Sequence, residues 1–314
     1  MLTVLDIILP IFVLIGAGFV LGRQGVFSAN DIRVLGRFVI KLALPALMFN
    51  AIASQPIGAA IQLPYVLIYG LGTVALMVAL YTAFRRAGRY DHITATLATM
   101  GSTVSNNGYV GYPILLLAMP GIANQAFAQN LLVENIIFLP ILFTMLELGH
   151  EDGGNRAQIA LRTLRRLGSE PLILSIVFGC VFSLLALELP SAIDRPLHML
   201  AAGASATALM VIGGTLAHLK PKGTRALAGY IVACKLILHP LVITSLIALS
   251  TAFGLAEMTP EMRAALILSC AMPPLGVFSV IAQVHGKQGF ASATQLGATI
   301  GALFTLSALL YVLT

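Results

Sequence analysis

Apolar residues in this chain come in long unbroken runs, without the alternation of a half-buried strand or the narrow stripe of a surface helix. A bilayer span needs about 20 apolar residues as helix. Ten runs of that kind lie at about 4–22, 32–53, 64–85, 93–118, 124–148, 170–189, 196–217, 225–251, 262–284 and 288–313, with short polar stretches between them. The pattern predicts an all-α integral membrane protein with ten transmembrane helices. A β-barrel would instead show alternating segments of roughly ten residues. The first run carries Asp6 where a cleavable signal would be basic, and it exceeds a signal's apolar core, so it reads as the first span.

The charges turn these runs into a topology. Segments after spans 1, 3, 5, 7 and 9 carry Arg23, Arg33, Arg37, Arg85, Arg86, Arg89, Arg156, Arg162, Arg165, Arg166, Lys220, Lys222, Arg225 and Lys287. The opposite side carries only Arg195 and Arg263. Cytoplasmic loops hold the excess of Lys and Arg, which predicts both termini on the non-cytoplasmic face of the membrane. The net charge of +6 then reads as a topology signal, not as an affinity for nucleic acid. The longest loop, 151–169, splits the spans five and five. Because five is odd, residues 1–150 and 170–314 are expected to form two inverted five-helix repeats, a common transporter plan. Span 5 also resembles span 10 weakly at an offset of 165 residues, though the topology carries this argument more than identity does.

Composition agrees. The chain is 58% hydrophobic and 10% charged, against about 25% charged in a soluble domain, and mean hydropathy is +0.95. That excludes soluble, disordered and coiled-coil classes. Cys180, Cys234 and Cys270 are far apart within apolar runs and read as packing residues. No His, Cys, Asp or Glu cluster has metal-ligand spacing, so neither metal nor cofactor is expected. No G-x-S-x-G or H-E-x-x-H occurs, which argues against an intramembrane enzyme. A channel lacks its usual charged ring or filter repeat.

Two spans are interrupted. Span 4 contains GSTVSNNGYVGYP, with Asn106, Asn107, Gly108, Gly111 and Pro113. Span 9 contains CAMPPLG, with Pro273, Pro274, Leu275 and Gly276. A mid-helix proline costs about 3 kcal/mol, and a freed backbone group in hydrocarbon costs several more unless protein or a wet cavity satisfies it. Paired interruptions in two inverted halves point to a transporter binding site. Half-helix N-termini would aim N–H groups at one point, which suits an anion such as a carboxylate, and the asparagine amides would add donors. The competing reading is a pair of kinks that only shape packing.

Four ionisable residues sit deep in apolar runs: Lys41, Glu134, Lys235 and His239. A charge at mid-bilayer costs at least about 2.5 kcal/mol, so each is expected to face protein or water. Glu134 and Lys235 lie at similar depth, and a structural pair or network is favoured over a proton site on Glu134. Lys41 either attracts an anion or snorkels to the cytoplasmic face. His239, before Pro240, reads as a satisfied polar residue. Asn130 and Glu134 share one face of span 5, and their counterparts on span 10 are Gln295 and Thr299, so two polar stripes line either a wet interior or a helix–helix seam.

NNGYVGYP resembles the N-x-G-[FY]-[IV]-G-x-P element of the auxin efflux carrier family, which includes bacterial malate and malonate permeases. FVIKLALPALMFNAIA resembles that family's second span, and MPPLGVFSVIAQVHG its proline-bearing ninth. The resemblance covers the whole chain. It implies a small organic anion as substrate, a ten-helix two-domain fold moving as an elevator, and a homodimer. It also implies carboxylate binding at Asn106, with Pro113, Pro273 and Pro274 as the helix-breaking prolines. The sequence departs from the pattern after Pro274, where Leu275–Gly276–Val277–Phe278 lacks the second asparagine of many relatives. H+ and Na+ both stand as candidate coupling ions. A sodium-coupled symporter of the bile-acid type is the alternative within transport.

Overall fold

The computed structural model describes residues 2–54, 61–88, 90–149, 169–219, 225–255, 258–276 and 278–313, with side chains from Asp6 onward. The expected central loop, 151–169, falls almost wholly outside them. The described residues are helical, with a single isolated antiparallel bridge and no strand. Among the described residues, six helical stretches are long and apolar enough to cross a membrane: Asp6–Arg23, Leu63–Arg86, Pro120–Leu148, Ser191–His218, Arg225–Ala252 and Gln288–Leu313. The other predicted intervals hold shorter or interrupted helices.

The chain divides into two compact units. The first comprises Met1–Gln62, Asn107–Leu132 and Gly168–Leu219; the second comprises Leu63–Asn106, Val133–Leu167 and Lys220–Thr314. Each therefore draws on both halves of the sequence.

In the first unit, α1 (Leu2–Arg23) is followed by α2 (Ala29–Phe38) and α3 (Leu44–Ala53). Ser28 caps α2 in a reciprocal box with Asp31, satisfying two orphan donors of the helix start. The Ser28 hydroxyl and N–H hold the Asp31 carboxyl below its ordinary range. In the second unit, α4 (Leu63–Arg86) precedes α5 (His92–Thr103), which is capped by Asp91 through the Thr94 N–H. The first unit continues with α6 (Tyr112–Ala118) and α7 (Pro120–Val133), and α8 (Leu139–Leu148) lies in the second. Next in the first unit come α9 (Pro171–Leu184), α10 (Ser191–Ala202) and α11 (Ala204–His218). The second unit ends with α12 (Arg225–Ala233), α13 (His239–Ala252), α14 (Pro260–Cys270), α15 (Phe278–Val284) and α16 (Gln288–Leu313).

Among the described residues, four widened π-turns punctuate these helices, at Val39–Ala43, Asn107–Gly111, Glu134–Phe138 and Cys234–Leu238. Each is followed two residues later by a proline: Pro45, Pro113, Pro140 and Pro240. A proline ring clashes with the carbonyl four residues back and offers no N–H to it. Letting the preceding turn close as i→i+5 relieves both problems without ending the helix. The N–H groups of Leu44, Leu139 and His239 accordingly reach back five residues, to Val39, Glu134 and Cys234. Lys41, Asn107, Glu134 and Lys235 all sit on these turns. Each carries chemistry that the sequence alone marks, while the backbone cause they share is visible only in the structure.

The core of the first unit is a close crossing of α1 and α11. Gly18 and Gly213 let the two backbones meet, with ideal Cβ positions only 2.2 Å from the Met210 oxygen and 1.9 Å from the Ile15 oxygen. The second unit buries α5 and α14 almost entirely, including Leu97, Met100, Leu266 and Leu268.

Candidate functional site

Helix α5 stops at Thr103 and α14 stops at Cys270, and the unwound segments beyond them cross antiparallel within the second unit. Ser105 and Pro274 form the one isolated bridge among the described residues. The Asn106 N–H donates to the Pro273 carbonyl at 2.8 Å, and the Leu275 N–H donates to the Val104 carbonyl at 3.2 Å. The Pro273–Pro274 pair cannot donate but offers two carbonyls. One accepts from Asn106, and the other accepts from Gln295 Nε2 at 3.2 Å. Each interrupted segment thus satisfies backbone groups that the other has freed, the condition for non-helical chain at membrane depth. Asn106 is 2% exposed.

The hydroxyls leading into the crossing are committed to their own helix. Thr96, Thr99, Ser102 and Thr103 each donate to the carbonyl four residues back. Such back-bonding satisfies a buried hydroxyl locally and leaves less of it for a ligand. Ser105 differs, because its Oγ accepts from Lys235 Nζ at 2.7 Å.

Lys235 is fully buried on its π-turn. Its ammonium also donates to the Cys270 carbonyl at 2.7 Å and lies 3.0 Å from His239 Nδ1. His239 Nε2 lies 3.0 Å from Thr73 Oγ1. With the ammonium donating to Nδ1, the ring proton sits on Nε2 and is donated to Thr73. Glu134 accepts from the Tyr69 hydroxyl at 2.8 Å, and the Tyr69 ring stacks on His239 with centroids 6.4 Å apart. The lysine's hydrogen bonds thus go to Ser105, Cys270 and His239, and Glu134 approaches that group through Tyr69, whose ring lies against His239. Tyr69, Thr73 and Ser105 were not picked out from sequence. The available signal was the i, i+4, i+8 spacing of Tyr65, Tyr69 and Thr73, which puts three polar residues on one face of α4.

The remaining sequence-derived candidates divide between the units. Gln295 belongs to the crossing through Pro274, and its Oε1 is buried without a protein partner. The Thr299 hydroxyl donates to the Gln295 carbonyl of its own helix at 2.8 Å. Gly276 lies in the unwound segment after Leu275. In the first unit, Asn107 folds over Gly111, with Oδ1 only 2.6 Å from an ideal Cβ there. Gly108 faces Leu44, Pro113 is the second residue of α6, and Asn130 is buried on α7. Lys41 pairs with Glu170 at 3.1 Å and lines an open apolar groove of about 460 Å³ with Phe49, Phe178 and Phe182. Among the described residues no group of three His, Cys, Asp or Glu side chains is placed to hold a metal.

A family model described as "Membrane transport protein" matches residues 3–312. A protein of Rhizobium meliloti (strain 1021) named "Putative malonate transporter" is 30% identical over 315 residues, covering 100% of this chain and 97% of that one. "Uncharacterized transporter YfdV" of Escherichia coli (strain K12) is 26% identical over 301 residues, covering 91% of this chain and 90% of its own. An "Uncharacterized transporter" of Methanothermobacter thermautotrophicus is 27% identical over 244 residues, covering 75% and 76%.

Proposed function

Matched along nearly its whole length, the chain belongs to the membrane transport protein (auxin efflux carrier) family, and from that premise we propose that it is a secondary transporter of small organic anions, with a malonate-like carboxylate as substrate. The observation that carries the reading is the antiparallel crossing of the two interrupted segments, with buried Asn106 at its edge. Irregular backbone at such a crossing is where transporters of this plan hold substrate. The Asn106 amide donates to a carboxylate oxygen, while Pro273, Pro274, Leu275 and Gly276 shape the opposite wall. Asn107, Gly108 and Pro113, in the same motif, and Lys41 are further candidates for substrate contact. Glu134, Lys235, Gln295 and Thr299 in the second unit, and Asn130 in the first, serve as polar support for their helices or in ion coupling.

The proposal includes ten spans in two inverted repeats, elevator-type alternating access, a homodimer, and both termini outside the cytoplasm of an inner membrane. Six long apolar helices among the described residues support a multi-pass membrane protein, and the loop charges favour this placement of the termini. The named transporter relatives support transport over enzymatic activity.

The test is uptake of labelled malonate into proteoliposomes by wild type and Asn106→Ala. Hydrogen bonds to a charged group contribute about 1.5–3 kcal/mol, so the variant should lose roughly 10- to 100-fold in apparent affinity. Equal saturable uptake by both proteins would remove Asn106 from the site. No saturable uptake of any three- or four-carbon carboxylate would sink the anion reading.

A further inference from the structure

Two helices end facing the same buried point in the second unit. The last residue of α14, Cys270, presents its carbonyl, and just beyond the end of α5 Ser105 presents its hydroxyl oxygen. Both are fully buried. A helix C-terminus carries about half a negative charge, and its last carbonyls lack intrahelical partners. Two such ends converging on polar oxygens in a dry interior make a locus for one positive charge. In transporters with broken helices, unwound carbonyls and half-helix C-termini are the groups that take a monovalent coupling cation. Here the charge comes from the protein. Lys235 Nζ lies 2.7 Å from both oxygens, and its third donor meets His239 Nδ1 at 3.0 Å. Three acceptors match an ammonium's three donors.

We propose that Ser105 Oγ and the Cys270 carbonyl form a monovalent-cation site at the crossing, permanently filled by the tethered ammonium of Lys235. The resident charge replaces a dissociable alkali ion and holds the two unwound segments together. The wild-type crossing therefore needs no sodium, and removing the tether converts the site into one that binds an alkali cation. The inference stands on the geometry of the second unit and does not depend on which substrate is carried.

Thermal stability of the full-length protein in detergent tests this directly. Wild type, Lys235→Ala, Lys235→Met and Lys235→Ala/Ser105→Ala are melted in lithium, sodium or potassium chloride, each against choline chloride at equal concentration. A cation that binds only the folded state raises stability with the logarithm of its concentration above the dissociation constant. Lys235→Ala should show such a rise with at least one alkali ion. Wild type should not, because the site is occupied, and Lys235→Met should not, because an apolar chain fills it. Adding Ser105→Ala should weaken the response. Absence of an alkali-specific rise in Lys235→Ala overturns the proposal, as does an equal rise in wild type or Lys235→Met. If Lys235→Ala does not survive in choline, recovery in an alkali salt supports the site. Failure of both Lys235→Ala and Lys235→Ser in every alkali salt overturns it.

Discussion

Gly213→Ala should separate two helices that now touch through backbone. An added Cβ would sit 1.9 Å from the Ile15 oxygen and 2.7 Å from the Phe19 nitrogen. Carbon–oxygen contacts are comfortable only from about 3.3 Å, so the contact with the Ile15 oxygen must open by about 1.4 Å and α1 and α11 must part. Neither obstacle is a side chain that can swing away. Overpacking of this kind costs about 1–3 kcal/mol, and a clash with backbone on two sides belongs at the upper end. Alanine's better helix propensity offsets up to about 1 kcal/mol. The net loss is about 2 kcal/mol, a fall of about 3 °C in melting temperature for a chain of this length. Gly16→Ala on the facing helix α1 is the control, because nothing lies within 4 Å of its ideal Cβ. It should melt at or slightly above wild type. Melting curves of the three proteins in one detergent decide the matter. If Gly213→Ala melts with wild type, or Gly16→Ala falls equally far, close backbone approach is not what these glycines provide.

Tyr69→Phe removes the hydroxyl that donates to buried Glu134 and should lower stability by about 1–3 kcal/mol, read as a lower melting temperature; an unchanged value would reduce Tyr69 to a packing residue. Gly111→Ala should displace the Asn107 amide that folds over it, cutting malonate uptake while shifting melting little; unchanged uptake would place Asn107 outside the transport cycle. At the start of α5, burial works against the charge on Asp91, but hydrogen bonds from Thr94 and Lys287 outweigh it and hold the carboxyl well below its ordinary range. A lowered folded-state pKa stabilises above the unfolded value of about 3.9 and is lost as pH falls below it. Asp91→Asn should therefore melt lower than wild type at neutral pH, with the gap closing under acid; a constant gap would refute this linkage. Ser28→Ala should cost about 1 kcal/mol through loss of the α2 capping box, and no change in melting would show that the box contributes nothing.

The long apolar runs made an all-helical membrane protein legible because a bilayer leaves the backbone few alternatives, and burial is then written as uninterrupted hydrophobicity. The interruptions were legible for the same reason. Pro273 and Pro274 cannot continue a helix, and α14 ends three residues before them. Lys235 and Glu134 stood out because charge is scarce in such a chain. Their depth suggested that they meet, yet depth along a helix says nothing about which neighbour each side chain faces. Only the tertiary arrangement sends Lys235 to Ser105, Cys270 and His239, and Tyr69 to Glu134. Those partners come from segments up to 166 residues apart, as with Thr73 and His239, and a contact over that distance leaves no local pattern. The π-turns were half legible, since each downstream proline was visible. Whether a helix answers a proline by widening, as before Pro240, or by ending, as before Pro273, depends on the partners that receive the freed carbonyls. Sequence by itself determined the class, the charged residues and the places where helix must fail. The tertiary structure alone decided what those failures bond to, because buried polar groups take whatever partner packing brings within about 3 Å.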